Sequence, residues 1–234
     1  MKELVRRLIN KLGYDLQKIN ILRSHKARKK QLINDLFIDL LIDGGANEGQ
    51  YVKEMRDLGF TGKIISVEPL QEQFKKLSGK ANSCTNWTCL NYAISDNEGC
   101  SSIFANNISE VSSLLPATGI ATTTDWKTKE TQAVELIKLS SIIANYAPRA
   151  ERIYLKLDIQ GSEKAALDGL GEYIDKIAAI ELEVSTLPLY EGETLAPEML
   201  AFLSLKGFSI FSIEPVVVDH ISGKVLQIEV LVSK

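Results

Sequence analysis

Residues 36–51 read LFIDLLIDGGANEGQY. An apolar run interrupted once, at Asp39, ends at Asp43, passes through Gly44, Gly45 and Ala46, and continues through Asn47, Glu48 and Gly49 into a helix-like pattern from Gln50. The pattern is that of a buried strand, a tight turn and a helix start. Small residues at such a turn let a ligand approach the backbone. The first turn of the helix offers unpaired N–H groups, and an acid at the strand tip can accept from an ammonium or a hydroxyl. In outline this is a nucleotide-cofactor crevice at the end of a parallel α/β sheet.

The spacing narrows the cofactor. A dinucleotide-binding turn reads G-x-G-x-x-G, whereas Gly44 and Gly45 are adjacent here and an acid stands directly before them. A carboxylate at that place repels a pyrophosphate. S-adenosylmethionine (SAM) carries an ammonium and a sulfonium and no phosphate, so the charge pattern favours it. The expected contacts are Asp43, Gly45, Ala46, Asn47 and Gly49.

Downstream, Lys63 to Val67 reads as a second buried strand ending in Glu68 and Pro69. A carboxylate at that tip is placed to accept both ribose hydroxyls of an adenosine cofactor. A helix over residues 70–80 leads to a third strand over residues 87–94, which puts Ala93 and Ile94 at the adenine end of the crevice. Residues 100–150 have the least regular pattern, with one short strand-like run from Val134 to Leu139, and much of this region is expected to be a loop over the site. Regularity returns with a fourth strand over residues 152–157, followed by Asp158. A fifth strand over residues 177–182 leads to Glu183 and Ser185. A helix over residues 197–206 and a final pair of strands, 208–213 and 226–232, complete an open sheet with one antiparallel strand.

The 234 residues, 45% hydrophobic and 24% charged, suit one globular domain large enough for a sheet covered on both faces. The net charge of −3 is unevenly spread: residues 1–35 carry +7 and the remainder −10. Residues 1–35 therefore read as a basic N-terminal helical extension and residues 36–234 as the catalytic domain. Leu4, Val5, Leu8, Ile9 and Leu12 recur at helical spacing opposite Lys2, Arg6, Arg7 and Lys11. Together with the basic run from His25 to Lys30, this extension could make a peripheral contact with an anionic membrane or glycan carrier. A solvated face or the packing arm of a homodimer are the plainer readings. No apolar run approaches the roughly 18 residues of a membrane span, and no signal-peptide pattern is present, so a cytoplasmic location is expected. Cys84, Cys89 and Cys100 lack the spacing of a disulfide framework or a zinc site. The acidic catalytic portion argues against a nucleic-acid partner.

Six segments taken together resemble the FkbM family of SAM-dependent methyltransferases: Asp43 to Gly49, Val67 to Pro69, Asn91 to Ala93, Ser112 to Leu114, Leu155 to Glu163, and Leu182 to Ser185 with Leu189 to Gly192. The resemblance runs from about Leu36 to the C-terminus. It implies a class I methyltransferase fold, a Rossmann-like seven-stranded sheet in the order 3-2-1-4-5-7-6 with helices on both faces. It also implies O-methylation of a hydroxyl on a sugar, glycan or natural product. By position, the Asp43 to Gly49 loop would hold the methionine part of SAM, Glu68 the ribose, and Ala93 and Ile94 the adenine edge, with Pro69 a further cofactor contact. Asp158 and Glu183 would face the transferred methyl. Ser140 and Glu229 stand where the family more often has Asp.

A sugar hydroxyl is a poor nucleophile while protonated, so either a carboxylate acts as base or a divalent ion such as Mg²⁺ lowers its pKa. Asp158 and Glu183 are candidates for either role, catalytic or metal-binding. The alternatives for Asp158 are a helix cap, and for Glu163 or Glu183 a partner for Lys156. His25 and His220 are the only histidines and are poor candidates for a base. Two other functions remain open on the sequence: a silent SAM-binding or scaffold protein, and a nicotinamide-dependent oxidoreductase, which the missing glycine spacing disfavours.

Overall fold

The computed structural model describes residues 24–120 and 126–234, together with Arg7, Ile9, Lys11 to Gly13, Ile21 and Leu22. Most of the amphipathic helix expected over Lys2 to Leu12, and the threonine run at 122–124, lie outside the described residues.

The central sheet is built from β1 (Leu40–Gly44), β2 (Lys63–Val67), β3 (Trp87–Leu90), β7 (Ile153–Leu157), β8 (Ile177–Ser185), β9 (Ser209–Val218) and β10 (Val225–Ser233). Its order is β3-β2-β1-β7-β8-β10-β9. Neighbours from β3 to β8 run parallel, and β10 runs antiparallel to both β8 and β9. This is the order and polarity expected of a class I methyltransferase. The central strands β1 and β7 are buried along their whole length, as parallel strands covered on both faces must be.

Side chains alternate between the faces of each strand. One face carries Leu40, Ile42, Ile65, Leu155, Leu157, Ile180 and Leu182, covered by α4 (Leu139–Tyr146), α5 (Glu163–Asp168) and α6 (Ala196–Leu205). The other carries Leu41, Ile64, Tyr154, Ala179 and Leu231, covered by α1 (His25–Asp35) and α2 (Gln50–Asp57). A further helix, α3 (Gln71–Ala81), joins β2 to β3 and buries Leu77.

The 100–150 region is more ordered than its composition suggests. Strands β5 (Gly99–Asn106) and β6 (Thr128–Ile137) form an antiparallel pair, and β6 also takes up β4 (Ala93–Ile94) in parallel to complete a second, three-stranded sheet. The expected third strand therefore divides after Leu90: Trp87–Leu90 stays in the main sheet and Ala93–Ile94 crosses to the second. Both β5 and β6 are half-solvated, so they lack the continuous apolar run that marks a central strand.

Candidate active site

A cleft of about 430 Å³ opens across the C-terminal ends of the parallel strands, a volume typical of small-molecule sites and the location expected for an open α/β sheet. At one end it is lined by Gly45, Ala46, Asn47, Glu68, Pro69 and Leu70, with Tyr92, Ala93, Ile94 and Ile103 as an apolar wall. At the other end stand Tyr51, Glu54, Lys156, Asp158, Glu183, Val216 and Glu229.

The turn after β1 is held by backbone hydrogen bonds. The N–H groups of Gly45 and Ala46 both donate to the Val67 carbonyl, at 3.0 and 3.1 Å, and the Asp158 N–H donates to the Gly44 carbonyl at 3.1 Å. Gly45 has φ +74°, and a Cβ on it would fall 1.9 Å from the Asp158 carbonyl oxygen. Only glycine lets the turns after β1 and β7 meet. Glu68 is 5% exposed and accepts from the Asn47 N–H at 2.8 Å and the Leu70 N–H at 2.9 Å. Asn91 Nδ2 donates to the Glu68 and Pro69 carbonyls, fixing this second turn from outside. Burial drives the Glu68 pKa up to about 7, against those two N–H donors. Each carboxylate oxygen keeps a lone pair for a further donor. Asn47 Oδ1 is buried without a hydrogen-bond partner among the described residues.

Asp43 and Gly49 do not line the cleft. Strand register places Asp43 beside Ser66 of β2 and Lys156 of β7. Ser66 Oγ donates to Asp43 at 3.2 Å, and Lys156 Nζ lies 3.5 Å from its other oxygen. The ammonium that meets Asp43 is thus the protein's own. A Cβ on Gly49 would instead meet Trp87 at 2.9 Å and Leu77 at 3.0 Å. The other seven residues expected to bind the cofactor, Gly45, Ala46, Asn47, Glu68, Pro69, Ala93 and Ile94, all line the cleft.

Asp158 and Glu183 come together at the opposite end, at the tips of β7 and β8. Gln160 Nε2 donates to Asp158 Oδ1 at 2.8 Å and to Glu183 Oε1 at 3.2 Å, and Lys156 Nζ is 3.5 Å from Asp158 Oδ2. Glu183 is pushed up to about 7 by burial and by the Asp158 charge, which outweigh Gln160 and Lys156. Burial opposes the charge on Lys156, but Asp158, Asp43 and Glu181 outweigh it and raise its pKa. Asp158 does not cap the helix after it. The N-cap position is Ser162, which makes no side-chain cap bond, and Glu163 instead holds the turn before the helix, accepting from the Ile159 and Gly161 N–H groups at 3.0 Å each. Nor does Lys156 pair with Glu163 or Glu183; its contacts are with Asp43 and Asp158.

A divalent ion between Asp158 and Glu183 does not fit this arrangement. The Gln160 amide hydrogens fill the space between the two carboxylates, and the Lys156 ammonium faces the remaining side of Asp158. This arrangement speaks against Mg²⁺ at the pair.

The cluster beneath this end has no local signature in the sequence. Register continues the row Ser66, Asp43, Lys156 to Glu181 on β8, and sets Glu183 opposite Glu229 on β10. Like charges so placed repel, and α1 supplies what offsets them. Lys29, 3% exposed, lies 2.8 Å from Glu181 and 3.3 Å from Glu54. The hydroxyl of Tyr51 donates to Glu181 at 2.8 Å, and that of Tyr154 also donates to it. His25 Nε2 lies 2.7 Å from Glu229, and its Nδ1 bonds Ser212 of β9 at 2.9 Å. Although burial opposes it, the His25 bond and the Lys29 charge hold Glu229 down at about 2. The ligand atoms of His25, Glu181 and Glu229 lie within 4.8 Å of one another, but Glu181 is already paired with Lys29 and Glu229 with His25. The run His25 to Lys30 is thus not a plain solvated face: His25 and Lys29 point inward, while Lys26 and Lys30 stay exposed. No described helix is long and apolar enough to cross a membrane.

Residues 43–210 match a family model described as the methyltransferase FkbM domain. No curated protein matches the chain. Among solved structures, it resembles magnesium protoporphyrin IX methyltransferase from Synechocystis PCC 6803 with bound SAM, at 11% identity and TM-score 0.47, covering 100% of this chain and 96% of that one. It also resembles precorrin-6y C5,15-methyltransferase from Geobacter metallireducens GS-15, at 11% identity and TM-score 0.46, covering 94% and 93%. A third is the ribosomal protein L11 methylase from Lactobacillus delbrueckii subsp. bulgaricus, at 10% identity and TM-score 0.44, covering 95% and 90%.

Proposed function

We propose that this chain, which belongs to the methyltransferase FkbM domain family, methylates a hydroxyl oxygen on an uncharged polyhydroxyl acceptor, a small sugar, glycan or natural product, with SAM as donor. The observation that carries this reading is the pairing of two unlike halves in one cleft: a backbone-built turn with an acidic ribose acceptor at one end, and two bridged carboxylates at the other.

The residues at the first end fit the cofactor. Glu68 retains acceptor capacity for ribose hydroxyls, Ala93 and Ile94 offer a flat apolar wall for a base, and Asn47 Oδ1 is a buried acceptor still in need of a donor. When bound, SAM supplies a methyl already activated by its sulfonium. The protein has to align the acceptor oxygen, exclude water and take up a proton. In this reading the Asp158 and Glu183 pair accepts the hydroxyl proton as the new carbon–oxygen bond forms.

Glu54, Asp158, Glu183 and Glu229 line the acceptor end, while its lysine, Lys156, is engaged with Asp43 and Asp158. Such a surface disfavours phosphorylated or polyanionic acceptors, nucleic acid included, and suits neutral hydroxyls. A cytoplasmic location fits a SAM-dependent reaction. A peripheral contact or a homodimer through the basic N-terminus remains part of the proposal.

The test is calorimetric titration with SAM, S-adenosylhomocysteine and a nicotinamide dinucleotide, followed by methyl transfer from labelled SAM to a panel of neutral methyl glycosides and their phosphorylated counterparts. Micromolar SAM binding with transfer to neutral glycosides is the expected result. SAM binding without transfer to any hydroxyl would favour the silent SAM-binding protein, and dinucleotide binding would favour the oxidoreductase.

A further inference from the structure

We infer that Gln160 is the positioning residue of this site: its side-chain amide ties Asp158 to Glu183 and holds both carboxylates in one aim at the acceptor. The inference rests on the proposed function only in calling that end of the cleft the acceptor's.

Gln160 follows β7 by three residues and is 5% exposed. Its amide orientation is set by chemistry. The NH₂ faces Asp158 and Glu183, whose ionised forms only accept, and the oxygen faces the Tyr190 hydroxyl, which lies 2.8 Å away. Each amide hydrogen then serves one carboxylate.

The residue is also gripped from behind. Its backbone adopts φ +53°, unusual for a residue with a side chain. Its carbonyl accepts from Ser113 Oγ at 2.5 Å. The next residue, Gly161, has φ +93°, and a Cβ there would crowd Glu193, Leu115 and Tyr190 at 3.2 Å each. Tyr190 stacks on Trp126 at 6.3 Å, and the Glu193 carboxylate accepts from the Leu189 and Tyr190 N–H groups. Two segments singled out in the sequence, Ser112 to Leu114 and Leu189 to Gly192, therefore meet at the back of Gln160. Ser112 and Leu114 also line the cleft, with Leu114 packed against Leu70 and Ala93, and the contact behind Gln160 gives both segments a further role.

The need for a bridge follows from the charges. Glu183 faces Asp158 from the turn after β7, Glu163 from α5, Glu229 from β10 and Tyr190 from the loop after β8; Lys156 is the nearby cation and is shared with Asp43 and Asp158. Without the amide, the two carboxylates repel across the gap, and Glu183 loses the neutral donor that favours its ionised form.

The experiment is a carboxyl-resonance NMR titration of the full chain labelled at Asp and Glu, comparing the wild type with Gln160→Met, which keeps the volume and removes both donors, and with Gln160→Ala. A thermal melt and a SAM calorimetric titration accompany each variant. The Glu183 midpoint is expected to move upward by about one pH unit in both variants, a roughly tenfold change in acid constant, with SAM affinity within about twofold of wild type. A folded Gln160→Met variant whose Glu183 titrates as in the wild type would overturn the inference. If the wild type fails to bind SAM while the Glu183 midpoint still shifts, the cofactor reading fails and the role of Gln160 stands.

Discussion

At the end of the cleft proposed to hold the cofactor, Gly45, Ala46, Asn47, Glu68 and Pro69 come from two turns that follow adjacent parallel strands. At the end proposed for the acceptor, Tyr51, Glu54, Asp158, Glu183, Val216 and Glu229 arrive from α2, the β7 turn, β8, β9 and β10. The first end is held by main-chain hydrogen bonds, which depend on chain path more than on side-chain identity. The second is held by charge, through the Gln160 bridge, Lys156, and the ion pairs that α1 makes from below. A backbone site tolerates drift in its lining provided the glycine stays. A charged site fails when one partner is lost, because the remaining ion is buried and unpaired.

This contrast can be broken by substitution. Asp158→Asn should lower methyl transfer by about 10²- to 10⁴-fold while leaving SAM affinity nearly unchanged, as read from initial rates and calorimetry. Loss of both together would merge the two ends into one structural unit. Lys29→Ala removes the cation from buried Glu181 and should cost about 3–5 kcal/mol of stability, read by chemical denaturation. A loss under about 1 kcal/mol would mean that Glu181 is held neutral by its tyrosines alone. Glu68→Ala should weaken SAM by about 1.5–3 kcal/mol, roughly ten- to a hundredfold, and unchanged affinity would remove Glu68 from the cofactor end.

The smallest effect sharpens the contrast through pH. Burial raises Glu68 and Glu183 to about 7 and Glu163 to about 8. The folded chain therefore holds more protons than the unfolded chain from about pH 4.5 upward, and stability should fall as pH rises through 7 to 8. Glu229, held at about 2, acts in the opposite sense: its contribution is present above about pH 4.5 and is lost as pH falls towards 2. The melting temperature should peak between these windows, near pH 5, and decline by a few degrees towards pH 8. In a Glu68→Gln, Glu163→Gln variant the alkaline decline should flatten, and an unaltered slope would place its cause elsewhere.

The sequence by itself determined an open α/β sheet with an antiparallel strand, the turn after β1, the acid at the tip of β2 and the two acids at the tips of β7 and β8, whereas the strand order came from the resemblance to the FkbM family. These are local signals: an apolar run of strand length, small residues at one turn, and a carboxylate at a fixed offset from a strand end. The division of residues 87–94 between two sheets was not legible, nor was the strand pair within 100–150, because half-solvated strands carry no continuous apolar run. Asp43 stands at the place along β1 from which a strand-tip acid can meet a ligand. Which way its side chain points depends on Ser66 and Lys156, brought beside it by strand register. The same holds for His25, Lys29, Glu181 and Glu229, which are separated by as many as two hundred residues. Their pairing has no local pattern, since a buried charge is satisfied by whatever opposite charge the packed chain brings within reach. Only the tertiary structure decided which of these carboxylates pair and which face the cleft.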